Sequence, residues 1–270
     1  MFTLASAELQ VEVLDPAADQ ARFGVRYCTG GYIFQVSDAA HGPLMTGPTY
    51  PDSFNWFDGQ GIPDSFNFQP LRDPAGGPQA LVLGIGVCDL AQRAIVELCR
   101  WEVDIKDDEA VMRTTHAYGD FGLDLERTVR VAGRTVRSAT LVRNTGRAML
   151  PISWFPHPFY PQPAGPELIR LNIAARMPEN PGYLLNESGW IARRTDPDRR
   201  GFYQALDHDA QTNLTLAQRH PALGLVAATC SYVPALFPIW GNSNTFSWEP
   251  YYERTLAPGQ SADWWVDYDF

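Results

Sequence analysis

The feature that most constrains the fold is strict two-residue alternation in the middle of the chain. Apolar and polar residues alternate over residues 123–131 and again over residues 135–143, on both sides of a connection that contains Gly133. Successive side chains of a strand point to opposite faces, so this pattern predicts a β-hairpin with one buried and one solvated face. The same alternation predicts further strands at residues 8–14, 94–104 and 264–270.

Two more continuous apolar runs, residues 80–88 and 223–230, predict strands that are buried on both faces. No window of helical length carries an apolar stripe bounded by capping residues. We therefore predict an all-β protein, a large antiparallel β-sandwich that forms a single domain over residues 1–270.

Two long polar segments interrupt this pattern. Residues 42–78 combine Pro, Gly, Asp and Asn with aromatic residues, and residues 176–213 are rich in Arg and Asp. Long aromatic-bearing loops in a β domain are usually functional, which is the prediction for the first segment. For the second segment, a functional loop and a cover over an open sheet edge are equally consistent with the sequence.

Charge and cysteine usage narrow the class of partner and the compartment. The 270 residues carry a net charge of −10, and Lys106 is the only lysine. This leaves no basic stripe for a phosphate backbone, so no nucleic-acid partner is expected. The four cysteines lack metal-ligand or disulfide spacing, and no apolar run is long enough to cross a membrane. We expect a cytoplasmic protein with reduced thiols, no membrane contact and no metal site.

Histidine is scarce, and one histidine has an unusual setting. His157 lies between Pro156 and Pro158 in a run of aromatic residues. An imidazole held rigidly among apolar neighbours is suited to general acid or base catalysis. A histidine that only packs at the end of a strand fits the local sequence equally well. The other four histidines are interpreted as surface or core residues: His41, His116, His208 and His220.

One carboxylate also has an unusual setting. Glu249 lies between Trp248 and Pro250, after an apolar stretch, and burial there would raise its pKa toward that of a useful base. The local sequence alone slightly favours an exposed glutamate at a strand end, paired with Arg254.

Four short motifs follow one another along the chain: Arg143-Asn-Thr-Gly, His157-Pro-Phe-Tyr, Trp248-Glu-Pro-Tyr and Leu256-Ala-Pro-Gly-Gln. Their order resembles the aldose 1-epimerase (galactose mutarotase-like) superfamily. The resemblance covers residues 59–270 and implies the galactose mutarotase-like supersandwich, with a sugar site on a concave sheet. It matches His157 and Glu249 to the catalytic histidine and glutamate of the family.

The resemblance implies an aldose or aldose-6-phosphate 1-epimerase. Glu249 would remove the proton of the anomeric hydroxyl, and His157 would protonate the ring oxygen, from opposite sides of the sugar. No metal, nucleotide or other cofactor is needed, and the partner is a small sugar or sugar phosphate bound by a monomer or homodimer. The substrate-binding candidates are Trp56, Trp154 and Trp240 as aromatic surfaces, Gln60 in a segment similar to the hexose-6-phosphate epimerase branch, and Arg72 for ring hydroxyls.

One departure from the family pattern leaves other functions open. The family usually carries a second histidine near the segment that here reads Leu-Gly-Ile-Gly, around Gly84. Its absence is consistent with a noncatalytic carbohydrate-binding or sensing protein of the same fold. A glycoside hydrolase or lyase would need a second carboxylate near Glu249, for which Glu253 and Asp89 are the candidates.

Overall fold

The computed structural model describes residues 1–66, 68–72 and 76–270, and its regular structure is almost entirely β. Within these residues the only helix is a single 3-10 turn, Gln20–Arg22, so no helix is long and apolar enough to cross a membrane. The first nine strands are β1 (Phe2–Ala5), β2 (Leu9–Val13), β3 (Ile33–Asp38), β4 (Gly42–Pro43), β5 (Asp64–Ser65), β6 (Leu71–Arg72), β7 (Gln79–Val82), β8 (Gly86–Asp89) and β9 (Ala94–Leu98). The next nine are β10 (Glu102–Ile105), β11 (Glu109–Tyr118), β12 (Phe121–Ala132), β13 (Thr135–Asn144), β14 (Leu150–Pro156), β15 (Tyr160–Pro161), β16 (Glu167–Leu171), β17 (Ala175–Arg176) and β18 (Tyr183–Leu185). The last nine are β19 (Trp190–Arg193), β20 (Phe202–Ala205), β21 (Asp207–His208), β22 (Thr215–His220), β23 (Gly224–Cys230), β24 (Pro238–Gly241), β25 (Thr245–Trp248), β26 (Tyr252–Leu256) and β27 (Ser261–Asp269).

A ten-stranded antiparallel sheet dominates the molecule. Its strand order is β10-β11-β12-β13-β27-β23-β22-β16-β19-β18. Smaller sheets complete the fold, among them β26-β14-β5 and β15-β25-β24-β20, which carry the two side chains singled out from the sequence. The prediction of a large antiparallel β-sandwich is confirmed.

Aromatic side chains join the large sheet to the two small sheets. Trp264 on β27 packs against Trp154 on β14, with ring centroids 5.6 Å apart. Four residues further along β27, Tyr268 stacks on Trp248 of β25 at 5.9 Å. Large buried rings of this kind contribute much of the energy of a core, and here they fix the small sheets on the face of the large one.

The individual strand predictions differ in outcome. The central hairpin forms as β12 and β13, with Ala132 paired to Thr135 across a two-residue turn. The apolar run at residues 80–88 is wrong as one strand, because Gly84 adopts a left-handed conformation (φ +73°) and turns the chain between β7 and β8. Residues 94–104 likewise divide into β9 and β10. Strand β23 alternates between buried and partly exposed residues and is not buried on both faces.

An ion pair lies inside the sandwich. Arg127, fully buried on β12, contacts the carboxylate of Asp64 on β5 and also bonds to hydroxyls of the neighbouring strand β13. Asp64 pairs with Pro156 of β14, and the carbonyl of the preceding residue, Pro63, accepts a hydrogen bond from the backbone of His157. The ion pair therefore lies next to the backbone that leads to His157. Strand alternation predicts an inward side chain at position 127, but it does not predict that this side chain is charged.

Candidate functional site

A cleft of about 620 Å³ opens beside the sheet that contains β25, within the size range of small-molecule sites. Both long segments that interrupt the strand pattern contribute to its walls. Residues between positions 48 and 58 form one wall, and residues 199–203 form part of another. His157, Trp240 and Glu249 lie on the remaining surface.

His157 is fixed at the end of strand β14. Its backbone N–H donates to the carbonyl of Pro63 at 2.8 Å, and its ring lies 4.4 Å from that of Phe159, centroid to centroid. The imidazole Nδ1 lies 2.8 Å from the hydroxyl oxygen of Ser247. Only 3% of His157 is exposed. Prolines on both sides and a hydrogen bond at Nδ1 leave Nε2 as the nitrogen available to a partner.

Glu249 provides that partner. Ser247 and Glu249 are two residues apart, so both side chains project toward His157, whereas Trp248 between them points into the core. The backbone N–H of Glu249 donates to the carbonyl of Pro238 at 2.9 Å, which holds the residue against β24. One carboxylate oxygen, Oε1, lies 3.3 Å from Nε2 of His157, and Glu249 is 6% exposed. The alternative of an exposed glutamate at this position is therefore wrong.

Burial sets the protonation of this pair. It raises the pKa of Glu249 to about 7, and the positive charge of Arg26 opposes that rise. Burial and Arg26 together hold the pKa of His157 well below its usual range. Near neutral pH, the pair therefore exchanges between a state that holds one proton and a state that holds none.

The two side chains stand side by side, which corrects the expectation that they act from opposite sides of a sugar. A contact of 3.3 Å between Nε2 and Oε1 leaves no room for a pyranose between them. The pair is therefore a proton donor and a proton acceptor placed side by side on the surface of the cleft.

Of the predicted aromatic surfaces, only Trp240 lines the cleft. Trp154 is wrong as a substrate contact because its ring is buried between Trp264 and Tyr232 in the core. Trp56 lies outside the cleft lining, with its ring against Phe57 and the backbone of Gly24.

The predicted polar contacts also lie elsewhere. Gln60 is fully buried outside the cleft, and Arg72 is exposed on strand β6. Gly84 turns the chain beside Cys28, away from the cleft, and a Cβ there would overlap the Cys28 sulfur. The left-handed backbone and the nearby sulfur therefore do not accommodate a histidine at position 84.

The two extra carboxylates considered for glycoside hydrolysis do not line the cleft. Glu253 projects from β26, where the hydroxyl of Ser153 lies 3.4 Å from its carboxylate. Asp89 is buried on β8 and accepts a hydrogen bond from the backbone of Gln92. Neither supplies the second acid that this chemistry requires.

Several residues of the cleft have no signal in the sequence. Arg26 and Tyr203 lie in segments without a recognisable motif, and only the folded chain brings them to His157. Ser247 could have been found, because a residue two positions before Glu249 on a strand must share its face.

Several solved structures share this architecture. A galactose mutarotase related enzyme from Lactobacillus acidophilus superposes with a TM-score of 0.65 at 11% identity, covering 99% of this chain and 96% of its own. A galactose mutarotase-like protein from Lactobacillus casei gives 0.62 at 13% identity, over 100% and 99% of the two chains. The chain has the galactose mutarotase-like fold. An aldose epimerase homologue from C. elegans shares this fold with a TM-score of 0.54 at 12% identity, over 99% and 97% of the chains. No protein-family model and no curated protein matches the sequence.

At these identities the galactose mutarotase-like fold is shared while the side chains are not. The likeness therefore shows the fold alone, and the chemistry of this chain depends on the residues of its own cleft.

Proposed function

We propose that the protein is an aldose 1-epimerase that interconverts the α and β anomers of an aldose or aldose-6-phosphate. The observation that carries the proposal is the 3.3 Å contact between His157 Nε2 and Glu249 Oε1, buried at the inner surface of an open cleft. Several proteins with the same fold are described as mutarotase-related or as aldose epimerase homologues, which supports this reaction over others.

The reaction requires only that protons move. Glu249, as carboxylate, accepts the proton of the anomeric hydroxyl while His157, as imidazolium, donates a proton to the ring oxygen, and the bond between C1 and the ring oxygen breaks. Rotation about the C1–C2 bond turns the other face of the aldehyde toward the ring oxygen. Closure returns both protons, so the pair ends as it began. Each acid or base contributes a factor of about 100 to 10,000 to such a step.

The resting pair is suited to this exchange. Burial favours the uncharged form, in which the shared proton lies on the carboxyl group, because separated charges are disfavoured away from water. Transfer of that proton to His157 over a short contact leaves the total charge of the pair unchanged. Trp240 and Tyr203, which pair across β24 and β20, offer aromatic faces to the C–H groups of the sugar.

Exchange spectroscopy by NMR tests the proposal. We expect catalytic amounts of the protein to transfer magnetisation between the α and β anomers of at least one hexose or hexose 6-phosphate. A double variant, His157→Ala with Glu249→Ala, is the reference. If the protein and this variant give equal exchange for every sugar, the epimerase proposal is wrong. Sugar binding without exchange would indicate a noncatalytic carbohydrate-binding protein.

The pH dependence follows from the shared proton. Catalysis needs one proton on the pair, and that proton is lost as pH rises through the pKa of Glu249 near 7. After subtraction of the spontaneous rate, exchange is expected to be faster at pH 6 than at pH 8.5. A rate that instead rises steadily across this range would show that the carboxylate alone suffices.

A further inference from the structure

The cleft extends beyond the His157–Glu249 contact, and two exposed arginines, Arg199 and Arg200, belong to its outer lining. Within the described part of the chain, only their backbones form hydrogen bonds, and neither side chain pairs with a carboxylate. A guanidinium group that faces a cleft without a partner can bind an anionic oxygen pair through two parallel hydrogen bonds.

Strand pairing places these arginines away from Glu249. Glu249 lies just beyond the C-terminal end of β25, beside Pro238 at the start of β24. Strand β20 begins at Phe202, which pairs with Gly241 at the opposite end of β24. The residues that precede β20 therefore lie at the end of the cleft remote from the proton pair.

The distance suits a substituent on the sugar. Ser247 pairs with Trp240, which pairs with Tyr203, so two strand spacings separate the backbone beside His157 from the start of the outer wall. At about 4.8 Å per spacing, this is about 10 Å. An arginine side chain is long enough to span part of that distance.

The backbone that carries the two arginines is fixed. The Asp198 side chain accepts hydrogen bonds from the N–H groups of Arg200 and Gly201, at 2.8 and 3.0 Å. Gly201 has φ +73° and lies so close to the backbone of Gly241 that a Cβ would not fit. The backbone of the loop is thus held in place, while the side chains of Arg199 and Arg200 form no hydrogen bond or ion pair with the described residues.

The cleft also contains a hydroxyl group without a hydrogen-bond partner among the described residues, that of Thr49. The amide of Asn242 donates to the carbonyls of both Pro48 and Arg199, at 3.2 Å each, and so ties the two loops together. Thr49, which follows Pro48 in the chain, lines the cleft, and its hydroxyl is buried without a hydrogen-bond partner among the described residues. A buried donor of this kind is costly unless a ligand satisfies it.

The charge of the cleft contrasts with that of the chain. The protein carries a net charge of −10, but arginine and carboxylate residues line the cleft in equal numbers. The arginines are Arg26, Arg199 and Arg200. One of the three carboxylate residues is Glu249, whose pKa is raised. The other two, Asp52 and Asp58, do not lie within 4.0 Å of a guanidinium group. The arginines are therefore not neutralised by direct contact.

We propose that Arg199 and Arg200 form an anion subsite, and that the cleft selects an aldose whose end remote from the anomeric carbon carries a phosphate or a carboxylate. This assignment rests on the proposed function for the position of the anomeric carbon. The anion anchors the sugar at the outer wall, and the anomeric end then lies against His157 and Glu249.

Binding of unreactive analogues tests the subsite separately from catalysis. The probes are 1,5-anhydroglucitol, its 6-phosphate and the corresponding 6-carboxylate, which have no anomeric hydroxyl, titrated by calorimetry at low salt. At least one anionic analogue is expected to bind about 10-fold more tightly than the neutral one, which corresponds to about 1.4 kcal/mol. Preference for the phosphate alone or the carboxylate alone identifies the anion.

Two double variants separate a subsite from a general charge effect. Arg199→Gln with Arg200→Gln is expected to abolish the preference for the anion. Arg170→Gln with Arg176→Gln removes the same charge from exposed positions outside the cleft and should preserve it. Equal affinities for neutral and anionic analogues, or a preference that survives the loss of Arg199 and Arg200, would overturn the subsite. Anomer exchange measured on the same samples reports on the proposed function independently.

Discussion

Glu249→Gln is expected to reduce the catalysed rate of anomer exchange by a factor of about 100 to 10,000. Glutamine has the shape of glutamate and keeps an oxygen to face His157, but it neither accepts nor releases a proton in this range of pH. Because Glu249 is the carboxylate in contact with the imidazole, at 3.3 Å, its loss removes the base of the proposed reaction. The measurement is the exchange rate between anomers, with the spontaneous rate subtracted.

A neighbouring glutamate provides the control. Glu253 lies four residues further along the chain, exposed on β26 and outside the cleft. Glu253→Gln removes the same charge and should leave the exchange rate within a factor of two or so, as expected for a surface change. If the two variants lose activity equally, or if neither does, Glu249 is not the base.

Asp64→Ala is expected to lower the free energy of unfolding by about 3–5 kcal/mol. The substitution leaves the guanidinium of Arg127 in the core without its carboxylate, and Arg127 is fully buried. An unpaired buried charge costs far more than the interaction itself contributes, because water cannot replace the lost partner. Urea denaturation followed by tryptophan fluorescence measures the change.

The adjacent residue on the same strand allows a matched comparison. Glu126, next to Arg127 on β12, pairs with Arg113 on the solvated face at 2.6 Å. Glu126→Ala breaks an exposed pair and should cost about 0–1 kcal/mol. Similar losses for the two variants would contradict the claim that burial determines the contribution of the Asp64–Arg127 pair.

The period-two pattern predicted the part of the fold in which one face is wet. The hairpin of β12 and β13 follows directly from alternating residues, because only one register buries the apolar set. The prediction of one strand over residues 80–88 was wrong because this run has no alternation of apolar and polar residues. A continuous apolar stretch contains no register information, so nothing in it indicates that Gly84 forms a turn.

Site residues could be predicted only where their neighbours in the sequence restrict the backbone or indicate burial. His157 and Glu249 stood out because prolines and aromatic residues surround them, and such neighbours indicate burial of an ionisable group. Arg26 and the arginines at 199 and 200 lie in loops whose path depends on contacts far along the chain, such as those made by Asn242. No sequence pattern encodes that path. The sequence likewise does not distinguish an aromatic residue beside the site, such as Trp154, from one inside it.

The alternation at residues 247–249 couples the His157–Glu249 contact to the integrity of the sandwich. Trp248 stacks on Tyr268 and donates a hydrogen bond to Gln218 at 2.8 Å, while the residues on each side of it face His157. A change that shifted this strand would disturb the core as well as the contact. If the proposed function is right, new substrate preferences are expected to evolve at cleft positions that do not support the pair, such as Arg199 and Arg200.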